Sequence, residues 1–155
     1  MANTKQEASK SRVVKTTSEK KPLKYSDKSA GQPELVPIFN TIKSLIKKYE
    51  KNNFQARNES TGSYGLYCIA PIEIAGRKFN EICFASLLIQ KGYVGFYFFP
   101  IYIDPAFAKL LNAELMKCLK GKTCFHIKNN DEKLMKEIEV ALQSGFQFYK
   151  KQGWT

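Results

Sequence analysis

The sequence predicts an α+β domain: an antiparallel sheet of five to seven strands with helices packed on one face, in the order α-β(5-6)-α-β-α. Three observations predict it. Apolar residues recur at the helical period over residues 35–49, and the period drops to two between residues 54 and 103. Helical spacing then returns twice, after Asp104 and after Asn129, with one further strand between. A chain of 155 residues is one domain's length, and 43% hydrophobic and 13% aromatic residues are enough to build its core.

The first helix follows Pro33. Leu35, Ile38, Phe39, Ile42, Leu45, Ile46 and Tyr49 form one continuous stripe, with Lys43, Lys47 and Lys48 off it. Pro37 fits only in the first turn, where a missing N–H costs nothing. Asn52-Asn53 ends the element. Residues 54–58 and 64–69 read as short strands around the turn-rich Glu59-Ser60-Thr61-Gly62. Residues 72–74 and 77–79 flank Ala75-Gly76, a tight hairpin. The strongest strands are 81–89 and 93–101, joined at Gln90-Lys91-Gly92. Both are nearly all apolar and read as central strands covered on both faces. Gln90-Lys91-Gly92 and Pro100 cut the run into lengths too short to cross a bilayer.

Asp104-Pro105 opens a helix carrying Phe107, Leu110, Leu111, Leu115 and Cys118, with Gly121 as its left-handed cap. Residues 122–128 form a strand. Asn129 with Glu132 resembles a capping box for the last helix, which carries Leu134, Ile138, Ala141, Leu142, Gly145 and Phe148-Tyr149. Residues 1–31 are mostly Lys, Ser, Thr, Ala, Glu and Gly, and read as a disordered basic tail ahead of a single domain over 32–155.

Charge and cysteine usage narrow the function. The net charge is +11; residues 1–31 hold eight basic against three acidic residues, and residues 32–155 hold seventeen against eleven. That excess favours polyanions weakly and without specificity, so loose nucleic-acid contact through the tail is one reading. Cys68, Cys83, Cys118 and Cys124 include no CxxC pair, and His126 is the one histidine, which disfavours a zinc finger or ribbon. The start, MANTKQEASK, has no apolar signal region, so reduced thiols in the cytoplasm are expected.

The segment Gly121-Lys122-Thr123-Cys124-Phe125-His126-Ile127-Lys128 is the most informative. Alternation sends Thr123, Phe125 and Ile127 to the core and Lys122, Cys124, His126 and Lys128 to the opposite face. Cations beside a thiol lower its pKa, and a neighbouring imidazole can act as base. Yet residues two apart on a strand stand about 6–7 Å from each other, too far for a direct thiol–imidazole bond. Gly121-Lys122-Thr123 lacks the upstream glycine and the following helix of a phosphate loop. Asp131, Glu132, Glu137 and Glu139 have lysine neighbours and read as helix surface. The aromatic block over residues 93–107 reads mostly as core, with Tyr97 or Tyr102 left to line a pocket. No catalytic residue, metal site or cofactor is expected.

Gly121-Lys122-Thr123-Cys124-Phe125, the downstream Gly145-Phe146, Tyr149-Lys150-Lys151 and Gly153-Trp154, and the upstream Lys91-Gly92-Tyr93-Val94, Tyr97 and Pro100 together resemble the YdhG-like proteins, domain-of-unknown-function family 1801. The resemblance spans residues 35–154 and implies a small α+β fold of the kind read above. It also brings the proposal, made for some relatives, of a frataxin-like intracellular iron chaperone. A domain with a net positive charge and lysine-neighboured acids fits that poorly, since hard cations prefer clustered carboxylates. The leading expectation is a non-catalytic binding or accessory domain, without membrane association, recognising a small anionic or amphipathic ligand or a protein partner through Lys91, Tyr97, Tyr102, Lys122 and Cys124.

Overall fold

The structure is a computed structural model that describes residues 25–155. Eleven short and long elements build one sheet with helices on one side of it. Helix α1 (Leu35–Lys47) leads into β1 (Phe54–Ser60), β2 (Ser63–Ile74), β3 (Arg77–Gln90) and β4 (Tyr93–Phe98). There follow α2 (Pro100–Ile103), a 3-10 helix (Pro105–Leu110), α3 (Ala113–Met116), β5 (Leu119–Lys120), β6 (Cys124–Ile127) and α4 (Glu132–Lys151). The six strands are ordered β1-β2-β3-β4-β6-β5, and every neighbouring pair is antiparallel. The α+β architecture expected from the sequence is the architecture found.

Helix α1 buries Leu35, Ile38, Phe39, Ile42 and Ile46, the expected stripe, and α4 buries Met135, Ile138, Ala141, Leu142, Gly145 and Tyr149. Between them and the sheet lies a solid aromatic interior. Phe84 meets Tyr49, Phe54, Phe98 and Tyr149 with ring centroids 5.3–6.3 Å apart, mostly edge to face. The Tyr149 hydroxyl donates to the Cys83 carbonyl oxygen at 2.6 Å, tying α4 to β3. Trp154 closes the end of this core beside Tyr149 and Phe148.

Several local expectations are corrected. The strand pieces at 64–69 and 72–74 are one strand, β2, which passes Pro71 through an irregularity between Ile69 and Ile72. Likewise 77–79 and 81–89 fuse into β3, so four strands, not five or six, precede the middle helices. Ala75 and Gly76, with φ of 49° and 77°, form the expected tight turn. Strand β4 ends at Phe98, three residues early, because Pro100 can join no ladder and opens α2 instead. The single helix expected after Asp104 is broken. Asp104 caps its start by accepting from the Ala106 N–H, but the Asn112 side chain accepts from the Glu114 N–H and begins a separate turn. Gly121 has its positive φ, at 82°, but in the β5–β6 turn. The cap of α4 is Asp131, accepting from the Leu134 N–H at 2.9 Å, not Asn129.

The expected tail over residues 1–31 falls mostly outside the described residues. Its last part is seated on the domain. Tyr25 donates its hydroxyl to the Ile89 carbonyl oxygen at 2.8 Å, and Lys28 donates to Gln90 at 2.8 Å. Gln32 then clasps the β3–β4 turn, donating to the Gln90 carbonyl oxygen and accepting from the Gly92 N–H at 2.7 Å. The folded unit therefore reaches back to Tyr25.

Candidate binding face of the sheet

Among the described residues, the helices leave the second face of the sheet without a covering layer. Expected burial of the central strands on both sides is thus half right: Phe84, Leu87, Ile89, Val94, Phe96 and Phe98 are fully buried, while Cys83, Ser86, Leu88, Tyr93 and Tyr97 are only half-buried. Register sets the order of side chains across this open face. One row runs Arg57, Gly65, Ser86, Tyr97, Cys124, Lys120 from β1 to β5. The next holds Leu88, Gly95 and His126, and Tyr67 stands opposite Cys83. Paired residues share a face, so these side chains form one surface.

Two glycines shape it. A Cβ at Gly65 would stand 3.0 Å from Tyr67 Cε2, and one at Gly95 would stand 3.0 Å from Tyr97 Cε2. Each tyrosine ring therefore lies back over the bare strand two residues before it, the way aromatic side chains shield glycines in sheets. Beside them Tyr93 and His126 stack with centroids 3.7 Å apart and planes 11° from parallel. Tyr25, Gly65, Tyr67, Ser86 and Leu88 line an open groove of about 610 Å³ at one end of the face.

The environment holds these groups neutral. Burial first, then the Cys124 thiol beside it, push the Tyr97 phenol up to about 12, against the opposing pull of Gln90. Burial likewise raises the Cys124 thiol, although a hydrogen bond with Tyr97 pulls the other way. Cys83 is pushed up to about 12 by burial, against the opposing pull of hydrogen bonds with Tyr67 and Ser86. His126 moves down, first from burial and then from the positive charges of Lys120 and Lys128. A raised thiol is a poor nucleophile at neutral pH, so the cation-activated Cys124 weighed from the sequence is not what this environment makes.

The alternation of β6 is as expected: Phe125 and Ile127 are fully buried, with Cys124 and His126 on the open face. Tyr97 and Cys124 are register partners, and Lys122 stands in the turn just before Cys124. The other two expected site residues are elsewhere. Lys91 lies in the β3–β4 turn, about 20 Å from Tyr97 along β4 at strand rise. Tyr102 is 59% exposed on α2, ring against Phe99, on an element that packs against α4. Tyr67, Tyr93 and Lys120 belong to the face and escaped the sequence reading. The signal for Tyr67 was its triplet Gly65-Leu66-Tyr67, of the same type as Gly95-Phe96-Tyr97 on a second strand.

Three of the acids are engaged in structure. Asp131 caps α4, Glu139 pairs with Lys48 at 2.7 Å, and Glu59 takes Lys43 at 2.7 Å and Lys47 at 3.3 Å. Among the described residues no three His, Cys, Asp or Glu side chains are grouped to hold a metal ion, and no helix is long and apolar enough to cross a membrane. No family model, no curated protein and no solved structure matches the chain.

Proposed function

We propose that this chain is a non-catalytic binding or accessory domain of the cytoplasm that takes its partner, a small anionic or amphipathic ligand or another protein, on the open face of the sheet. One observation carries the reading: tyrosine rings laid over Gly65 and Gly95, with a stacked Tyr93–His126 pair beyond Gly95 on β4 and β6 and a lysine edge. Rigid, amphipathic rings with few rotatable bonds supply contact area at low entropic cost. Protonated thiols and neutral phenols give the same surface hydrogen-bonding capacity without a reacting group.

The solid interior supports surface recognition over enclosure of a ligand within the core. An iron-chaperone role has less support, because two of the four acids it would need are engaged, Asp131 in a helix cap and Glu139 in a lysine pair. Kinship with the YdhG-like proteins belongs to this proposal too and rests on the order and spacing of the short motifs. The test is a thermal-shift series with inorganic phosphate, nucleotides and fatty acids. A class that binds raises the melting temperature of the wild type by mass action, and that rise shrinks in Tyr97→Ala. A flat response across all three classes overturns the small-ligand form of the proposal.

A further inference from the structure

We propose that the open face is a platform for single-stranded nucleic acid, with bases stacking on Tyr67, Tyr97 and the Tyr93–His126 pair and phosphates held by Lys28, Lys120 and Lys128. The inference rests on the reading of this face as the binding surface and goes beyond the partners proposed above to a polymer.

The arrangement of rings favours a polymer. Tyr67 on β2 and Tyr97 on β4 flank β3, two strand spacings apart laterally, which is about 9–10 Å. They are further offset along the strands, because Tyr67 faces Cys83 and Tyr97 faces Ser86. Tyr93 and His126 add a third stacking point toward the other end of β4 and β6. A single nucleotide occupies one of these points, and a strand of several engages them together. Stacking on aromatic rings is tolerant of base identity because every base has a π-face. An exposed sheet face carrying aromatics is a geometry that splayed, unpaired bases can use and a closed duplex cannot.

Charge is placed to match. Lys120 pairs with Cys124 across the β5–β6 hairpin and so shares the face, and Lys128 follows Ile127 directly. Both lie close enough for their charge to disfavour protonation of His126. Beside β3 Lys28 reaches Gln90, the register partner of Tyr93. Glu81, an acid on this side of β3, is 3.5 Å from Arg57 and is offset by it. Residues 1–24 carry seven Lys/Arg against two Glu, and they join the described chain at Tyr25, whose ring shares the groove with Tyr67.

The experiment is fluorescence anisotropy of the full chain with labelled oligo-dT and oligo-rU of about twelve nucleotides, a length within the site sizes of such platforms. Salt is varied between about 50 and 200 mM. Binding of either strand that weakens with salt, falls about tenfold in Tyr67→Ala and in Tyr97→Ala, and loses part of its salt dependence in Lys120→Glu is the expected result. A preference between the DNA and RNA strands identifies the source without affecting the proposal. No binding at the lowest salt overturns it. So does binding that ignores both tyrosine substitutions, including binding lost only when residues 1–24 are removed, or an equal affinity for duplex. Anionic phospholipid vesicles run alongside: tyrosine-dependent binding to vesicles with none to oligonucleotides overturns the inference and leaves the binding face itself standing. Failure of every probe to engage the face overturns both.

Discussion

The ring of Tyr97 lies across Gly95, its Cε2 atom 3.0 Å from where a side chain on Gly95 would begin. The half-exposed ring is the end of a flexible side chain, so a methyl group at 95 displaces it outward from the strand. Cys124, register partner of Tyr97, then loses its neighbour. Gly95→Ala is expected to leave the fold intact and to raise the rate at which Cys124 reacts with an aromatic disulfide several-fold. Cys124→Ser in the same background assigns the fast thiol. An unchanged rate means that the ring does not shield Cys124.

Gly145 on α4 tells the opposite story, since its neighbours cannot give way. A Cβ there would meet Phe98 Cζ at 2.7 Å, Phe98 Cε2 at 2.9 Å and Pro100 Cγ at 3.0 Å. Overpacking of this sort costs about 1–3 kcal/mol, set against about 1 kcal/mol of improved helix propensity. Gly145→Ala is therefore expected to lower the urea midpoint by a net loss of about 1 kcal/mol at unchanged slope. A gain in stability would show that α4 sits farther from β4 than described.

Much of this architecture was legible because one face of each element had to be buried. The stripe on α1 and the alternation of Phe125 and Ile127 on β6 admit one orientation each, and the structure has it. The middle of the chain was less legible for local reasons. Asn112 offers the backbone a side-chain acceptor, which splits an otherwise helical pattern and leaves Leu110 72% exposed. Asp131 outcompetes Asn129 as a cap by a register of two residues. The site was half hidden. Residues 93–98 look uniformly apolar, yet Phe96 and Phe98 face the helices while Tyr93 and Tyr97 face out. Only pairing with β6 on one side and β3 on the other shows that these tyrosines share a surface with His126, and pairing is a long-range fact.

His126 gives the domain a pH signature. Its folded pKa lies below the unfolded value, because burial and the charges of Lys120 and Lys128 disfavour the imidazolium. The unfolded chain therefore binds the proton more readily. The neutral imidazole's contribution is fully present above the unfolded value of about 6.5 and declines as pH falls through it toward the folded pKa. His126 is the one histidine in the chain, so denaturant midpoints between about pH 5.5 and 7.5 report it with little interference. The wild type is expected to lose stability toward the acid end, and His126→Gln to be flatter. Equal slopes in the two proteins contradict the placement of His126 against the lysine edge.

Tyr25 anchors the residues that lead into the domain. Its hydroxyl donates to the Ile89 carbonyl oxygen at 2.8 Å, and the group is half-buried. Tyr25→Phe is expected to cost about 1 kcal/mol and to speed hydrogen exchange at Lys91 and Gly92, the turn that Gln32 also clasps. Exchange identical to wild type would mean that residues 25–32 do not hold that turn.

The most direct test of the open face as the working surface is to follow backbone amide resonances of the full chain during titration with oligo-dT and with the thermal-shift probes. The expected result is a contiguous set of perturbed amides at residues 65–67, 93–97 and 124–126, abolished together in the Tyr67→Ala/Tyr97→Ala double variant. Perturbations that cluster instead along α1 and α4, with residues 65–67 and 93–97 unmoved, would place the working surface on the helical side and contradict the account.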